Sequence, residues 1–119
     1  MAKRTLIVIR KPPFGSLDSW EAFRCSLSFY TTNMPVEILL EGLGVFNWMN
    51  GIIPVSTDPH SISRFVGDLQ NFVIPVFIVE EDLREQGLTG GDMVSSYPKI
   101  ISRVEAARMI ASHETTIAM

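Results

Sequence analysis

Cys25 is the only cysteine of the chain and therefore the only side chain that could act as a thiol nucleophile. It lies in a segment whose apolar residues recur at helical spacing, which predicts a helix with one side facing a core. That side comprises Trp20, Phe23, Leu27 and Tyr30. Cys25 falls on the other side with Ala22 and Phe29, and it lies in mid-helix, away from the N-terminal end where thiols are activated. We expect a packed, unreactive thiol, while sulfur chemistry at Cys25 stays open as an alternative.

The two histidines, His60 and His113, lie in polar connecting segments far apart in the sequence. Neither has the spacing of a metal ligand to the other or to Cys25. We interpret both as solvated loop residues. The sequence predicts no metal site, no cofactor and no catalytic triad.

Three consecutive acids, Glu80, Glu81 and Asp82, are the densest group of carboxylates. They could form a catalytic cluster. They also directly follow an apolar run and precede Leu83, as acids do in the first turn of a helix, where the helix dipole favours negative charge. We expect this structural role, with the helix ending at Gly87.

The loop Lys11–Ser16 reads KPPFGS and follows the first apolar run. Phosphate-binding loops need several glycines so that backbone amides can approach the phosphate. This loop has one glycine and two prolines that lack a backbone donor. A phosphate cradle is therefore not predicted, although a small ligand could still bind beside the loop.

Five segments read as strands, alternating with helical segments. They are Thr5–Ile9, Val36–Leu40, Val73–Val79, Lys99–Ile101 and Thr115–Met119. This alternation predicts a three-layer α/β/α domain with a mainly parallel, doubly wound sheet of about five strands. The last helix should follow the capping box Ser102–Glu105 and bury Val104, Ala107 and Ile110.

Ligands of such folds bind at the carboxyl ends of the strands. Three loops lie there, at 11–16, 41–44 and 79–82. The candidate pocket residues are Lys11, Phe14, Gly15, Ser16, Gly42, Val79 and Glu80.

Composition limits the classes of protein. At 119 residues the chain predicts a single domain over 1–119, and 46% hydrophobic residues suffice for one core. A net charge of −3 with scattered basic residues disfavours direct nucleic-acid binding. The apolar runs are too short to span a membrane, and one cysteine without a recognisable signal peptide favours the cytoplasm.

The order of these segments resembles the DsrE/DsrF family of sulfur-relay proteins, most closely its TusC/DsrF branch. Four stretches carry the resemblance: Lys3-Arg4 before a buried strand, the turn Pro13–Ser16, the strand and aromatic segment Leu39–Phe46, and Phe77–Leu88, which reads FIVEEDLREQGL. The resemblance implies a small α/β subunit that forms trimers or hexamers, either with its own copies or with sister subunits.

In sulfur-transferring members of that family, a cysteine at the end of the third strand carries a persulfide. It lies eight positions before the helix-ending glycine, which places Val79 there in this chain. The resemblance therefore implies a non-catalytic or scaffold subunit of an intracellular sulfur-relay-type oligomer. Two alternatives stay open: a domain that binds a small molecule or nucleotide, and a sulfurtransferase that uses Cys25.

Surplus apolar side chains predict a contact surface in such an oligomer. The candidate interface residues are Ala22, Cys25, Phe29, Phe46, Trp48 and Met49. Aromatic residues and methionine are enriched at interfaces. The alternative is that these side chains lie under neighbouring loops of the same chain.

Overall fold

The computed structural model describes residues 4–13, 17–49 and 63–119. Within these ranges the strands are β1 (Thr5–Ile9), β2 (Val36–Leu40), β3 (Val76–Val79), β4 (Lys99–Ile101) and β5 (Thr115–Ala118). The α-helices are α1 (Asp18–Thr31), α2 (Ser63–Asn71), α3 (Glu80–Glu85) and α4 (Arg103–Ser112). Two 3-10 segments, Gly42–Trp48 and Gly90–Asp92, complete the described elements.

The five strands form one sheet in the order β4-β3-β2-β1-β5, and every neighbouring pair is parallel. Side chains of α1, α2 and α3 pack with Ile7, Ile38 and Ile78 on one face. Helix α4 packs with Leu6, Val8 and other residues on the opposite face. The predicted three-layer α/β/α architecture with a parallel sheet is therefore confirmed. In the described part of the chain, no helix has both the length and the apolar character needed to cross a bilayer.

The third strand covers Val76–Val79, so the first three residues of the apolar run Val73–Val79 lie outside it. Val73 belongs to a turn with a φ of 56°, a left-handed conformation that is strained for a β-branched residue. Pro75 follows it, and the ladder starts at Val76. The structure therefore places Val73 outside the sheet, with 72% of its surface exposed.

Helix α1 presents a different side to the sheet than its apolar spacing predicts. Its buried residues are Ser19, Ala22, Phe23 and Ser26, whereas Tyr30 is exposed. The two serines tolerate burial because their hydroxyls find acceptors. Ser19 donates to the carbonyl of Lys11 at 2.8 Å, and Ser26 donates to that of Ala22 at 2.9 Å. These small side chains allow the helix backbone to approach the sheet closely.

Helix α4 is also rotated from its predicted orientation. Ala106 faces the core, while Val104 is 60% exposed and Ala107 also lies in solvent. The predicted burial of Val104 and Ala107 is wrong, whereas Ile110 is partly buried as expected. The helix start fixes this orientation, because the Ser102 hydroxyl accepts from the amide of Glu105 and the Arg103 amide donates to Glu81.

His113 is buried, so its interpretation as a solvated loop residue is wrong, while His60 lies outside the described residues. Its Nδ1 lies 2.7 Å from the carbonyl of Met109, and its Nε2 contacts the carboxylate of Glu37 on β2. The ring therefore links the end of α4 to the sheet, just before β5 begins.

Replacing His113 with alanine is expected to lower the free energy of unfolding by about 1–3 kcal/mol, because Glu37 and the Met109 carbonyl both lose a partner. Urea unfolding followed by circular dichroism measures the change. Glu114→Ala, at the exposed neighbouring position, is the control and should change stability by less than about 0.5 kcal/mol. Equal effects of the two substitutions would contradict a structural role of the imidazole.

Candidate functional site

The carboxyl ends of the parallel strands meet at one edge of the sheet, where ligands of such folds bind. The structure brings Gly42, which follows β2, to within 2.8 Å of Asp82 in α3, measured from the amide nitrogen to Oδ2. Gly42 has a φ of 57°, which a glycine adopts without strain. The candidates Phe14, Gly15 and Ser16 lie outside the described residues.

Val79 is the last residue of β3, as the resemblance requires for the position of the persulfide carrier. Its side chain is 1% exposed and packs in the cluster formed by Leu6, Val8 and Leu39. The position therefore has no nucleophile and no access from solvent.

The acids after β3 hold neighbouring segments together. Helix α3 begins at Glu80, so Glu80, Glu81 and Asp82 occupy its first turn as predicted. Asp82 is 7% exposed and accepts from the Gly42 amide and from the guanidinium of Arg103. Glu81 accepts from the Arg103 amide at 2.9 Å.

Hydrogen bonds explain the electrostatics of this first turn. The pKa of Glu81 lies below its usual value, chiefly because its own backbone amide donates to the carboxylate, with further help from Arg103. The nearby Asp82 carboxylate raises the pKa of Arg103. The Glu81 carboxylate is thus held ionised as a structural partner of the start of α4.

The cations at this edge are paired as well. Arg10 contacts Glu41, and Lys11 Nζ lies 3.9 Å from Asp18. Among the described residues, no group of three or more His, Cys, Asp or Glu side chains could hold a metal ion.

A hollow of about 240 Å³ lies beside β4 and has mainly apolar walls. Its lining residues are Glu80, Leu83, Arg84, Leu88, Thr89, Gly90 and Ile100. Of the described pocket candidates, only Glu80 lines it, and Glu80 is engaged with Arg84 at 3.1 Å. Lys11, Gly42 and Val79 do not line this hollow.

Three predicted interface residues are buried inside the chain. Ala22, Trp48 and Met49 are each fully buried, so their assignment to an outer contact surface is wrong. The segment 93–97 covers the last two residues. Trp48 donates from Nε1 to the Ser95 hydroxyl at 3.3 Å and stacks on Tyr97, and Met49 pairs with Met93. The alternative, burial under neighbouring segments of the same chain, therefore holds for Trp48 and Met49.

Cys25, Phe29 and Phe46 are partly buried. The first two border a shallow hollow of about 210 Å³ with Ser28, Thr32 and Met34.

Sequence reasoning missed an apolar surface at the opposite, amino edge of the sheet. We define the amino-edge surface as Tyr30, Met34, Phe72 and Val73, all of which are exposed. Tyr30 and Phe72 stack with centroids 4.8 Å apart, beside a hollow of about 310 Å³. The sequence signal was the pair Phe72-Val73 after α2, which reads equally well as the start of a buried strand.

The five-stranded parallel sheet with helices on both faces matches solved structures of DsrE-like fold. One solved structure with this fold is the YchN protein from Escherichia coli, with a TM-score of 0.82 and 17% identity over 100% of both chains. Another is MTH1491 from Methanobacterium thermoautotrophicum, a protein of unknown function, with a TM-score of 0.69 and 15% identity over 98% of this chain and 99% of that one. At these identities the likeness establishes the fold. No protein-family model and no curated protein sequence matches the chain.

Proposed function

We propose that the chain is a non-catalytic, scaffold-type subunit of an intracellular DsrE-like oligomer in a sulfur-relay-type system. It contributes protein contacts, with copies of itself or with sister subunits, and requires no cofactor. The observation that carries this proposal is Val79, a valine with 1% of its surface exposed at the end of β3. A subunit that carried sulfur at this position would need an accessible thiol there.

The rest of the carboxyl edge supports the same interpretation. Asp82 is committed to Gly42 and Arg103, and Arg10 is committed to Glu41. Sulfur transfer needs a thiolate with positive potential around it. Here Glu80 and Glu81 would place negative charge next to any thiol at position 79 and oppose its ionisation.

The amino-edge surface supports a role in protein contacts. Contiguous exposed apolar patches on a protein surface often mark interaction sites. Tyr30 and Phe72 already pack against each other, so a partner would meet a preformed aromatic surface.

The test is sulfur loading of the native protein. Incubated with polysulfide and analysed by intact-mass spectrometry, the protein is expected to gain no sulfur atom. A stoichiometric gain of one sulfur that disappears in Cys25→Ser would contradict the proposal and favour a sulfurtransferase acting through Cys25.

A second variant tests whether the site itself is closed. Val79→Cys in the Cys25→Ser background carries its only thiol at the carrier position. We expect this thiol to resist loading in the folded protein and to react after unfolding in urea, because the position is buried. If the folded variant takes up sulfur, position 79 is accessible to polysulfide and lacks only a thiol for loading. That result would contradict the expectation that burial closes this position to sulfur donors.

A further inference from the structure

Strand β5 lies at one lateral edge of the sheet, and within residues 4–13, 17–49 and 63–119 no strand pairs with its outer side. Its bonds to β1 alternate along the strand: Thr115 donates to the Arg4 carbonyl at 3.4 Å and Met119 donates to the Val8 carbonyl at 2.8 Å. Because successive backbone groups of a strand alternate in direction, the amides and carbonyls of Thr116 and Ala118 point away from β1. In the described part of the chain, β5 pairs with β1 alone.

As far as the described residues go, the β5 edge lacks the features that normally prevent strand pairing. Charged side chains, prolines, bulges and covering segments protect natural sheet edges. β5 reads TTIA, with no charge and no proline, and three of its four residues are exposed. It offers regular, unprotected backbone donors and acceptors.

The opposite edge is better protected. β4 has three residues, one of which is the exposed Lys99. The turn at Gly90–Asp92 lies beside the side chain of Ile100, since a Cβ at Gly90 would stand 3.4 Å from it, and Ile100 stays 39% exposed. Addition of a further strand is therefore easier at β5 than at β4.

We propose that β5 pairs with β5 of a second copy, antiparallel about a two-fold axis, so that the two five-stranded sheets become continuous. Pairing of β5 with β4 of the next copy would be a heterologous contact, and repeated contacts of this kind could build an open filament. The short β4 edge with its exposed Lys99 opposes such pairing. The two-fold arrangement uses one unprotected edge twice and closes after two copies. This inference deepens the proposed function by naming the partner of one surface, and it rests on the proposed assembly role.

Backbone geometry also gives the register. If Thr116 of one copy lies opposite Ala118 of the other, both outward-facing residues exchange N–H and C=O groups, which gives about four hydrogen bonds. The two copies of Ile117 then face each other as a non-hydrogen-bonded pair, with Cα atoms about 4.5 Å apart. Other registers make fewer bonds.

Disulfide trapping tests this geometry, because a Cα separation of about 4.4–6.8 Å permits a disulfide. Ile117→Cys in the Cys25→Ser background is expected to form a covalent dimer under mild oxidation. Ile100→Cys in the same background, on the β4 edge, is the matched control and should stay monomeric on a denaturing gel. A cross-linked control without a cross-linked Ile117→Cys would overturn the choice of edge.

A second measurement avoids any change to the side chains. In the unsubstituted protein, the amides of Thr116 and Ala118 should exchange with deuterium more slowly at high protein concentration than at low.

A further substitution tests the hydrogen bonds of the proposed pair. Adding Ala118→Pro to the Ile117→Cys variant removes one outward-facing donor and leaves the bonds to β1 in place, so it should abolish the cross-link.

The outcomes separate this inference from the proposed function. A monomer by light scattering would overturn both the edge pairing and the assembly role. An oligomer with unprotected Thr116 and Ala118 amides and no cross-link at position 117 would overturn the edge pairing only. Sulfur loading of the protein bears on the non-catalytic role and leaves the edge pairing unaffected.

Discussion

Replacing Gly44 with alanine is expected to lower the free energy of unfolding by about 3 kcal/mol, or to prevent folding. A Cβ at this position would lie 1.9 Å from the carbonyl oxygen of Ile9 and 2.7 Å from its carbonyl carbon. Both atoms belong to the backbone of β1, and the same oxygen accepts from the amide of Glu41 at 3.1 Å. No rotamer change relieves this clash, so either the strand end or the 3-10 segment must move.

Gly67→Ala is the matched control, since it adds the same methyl group to a glycine in α2. Nothing lies within 4 Å of a Cβ there, and an alanine in a helix should stabilise the protein by about 0.5–1 kcal/mol. Urea unfolding followed by circular dichroism measures both variants. A loss below about 1 kcal/mol for Gly44→Ala would contradict the close approach of Gly44 to β1.

The central part of the sheet was predictable because β1, β2 and β3 come from largely apolar runs. TLIVI is buried along its length, and VEILL is buried except at the partly exposed Glu37, as expected of strands covered on both faces. The helical segments between them require parallel crossovers. The same runs located the end of β3 at Val79. That this position lacks the carrier cysteine followed from the family resemblance, which counts back from Gly87.

The sides on which the helices face the sheet were harder to predict. Apolar spacing assigned Tyr30 and Val104 to the core, yet both are exposed. Ser19 and Ser26 are buried instead, because hydrogen bonds to nearby carbonyls remove the cost of burying their hydroxyls. A hydrophobicity pattern carries no information about such local bonds.

The contacts that organise the carboxyl edge were also not visible in the sequence. Asp82 joins Gly42, 40 positions away, and Arg103, 21 positions away. The run of acids predicted only a helix start, which is correct but incomplete. The amino-edge surface depends on the left-handed turn at Val73, and no sequence rule assigns that conformation to a valine.

Asp82 connects three segments of the carboxyl edge, and its removal is expected to have the second largest effect on stability. In Asp82→Ala the amide of Gly42 loses its acceptor and Arg103 loses its least exposed carboxylate partner. Asp82 is 7% exposed, so water replaces these bonds poorly, and the free energy of unfolding should fall by about 2–3 kcal/mol.

Glu85→Ala is the control that separates burial from charge. Glu85 also contacts Arg103, at 3.5 Å, but 62% of its side chain is exposed. Its loss should cost less than about 0.5 kcal/mol, as is usual for exposed ion pairs. If urea unfolding gives the same loss of unfolding free energy for both variants, only the ion pairs with Arg103 contribute to stability. The hydrogen bond from the Gly42 amide to Asp82 would then add nothing. A larger loss for Asp82→Ala supports the alternative that the structure favours: this one buried carboxylate holds Gly42, α3 and the start of α4 together.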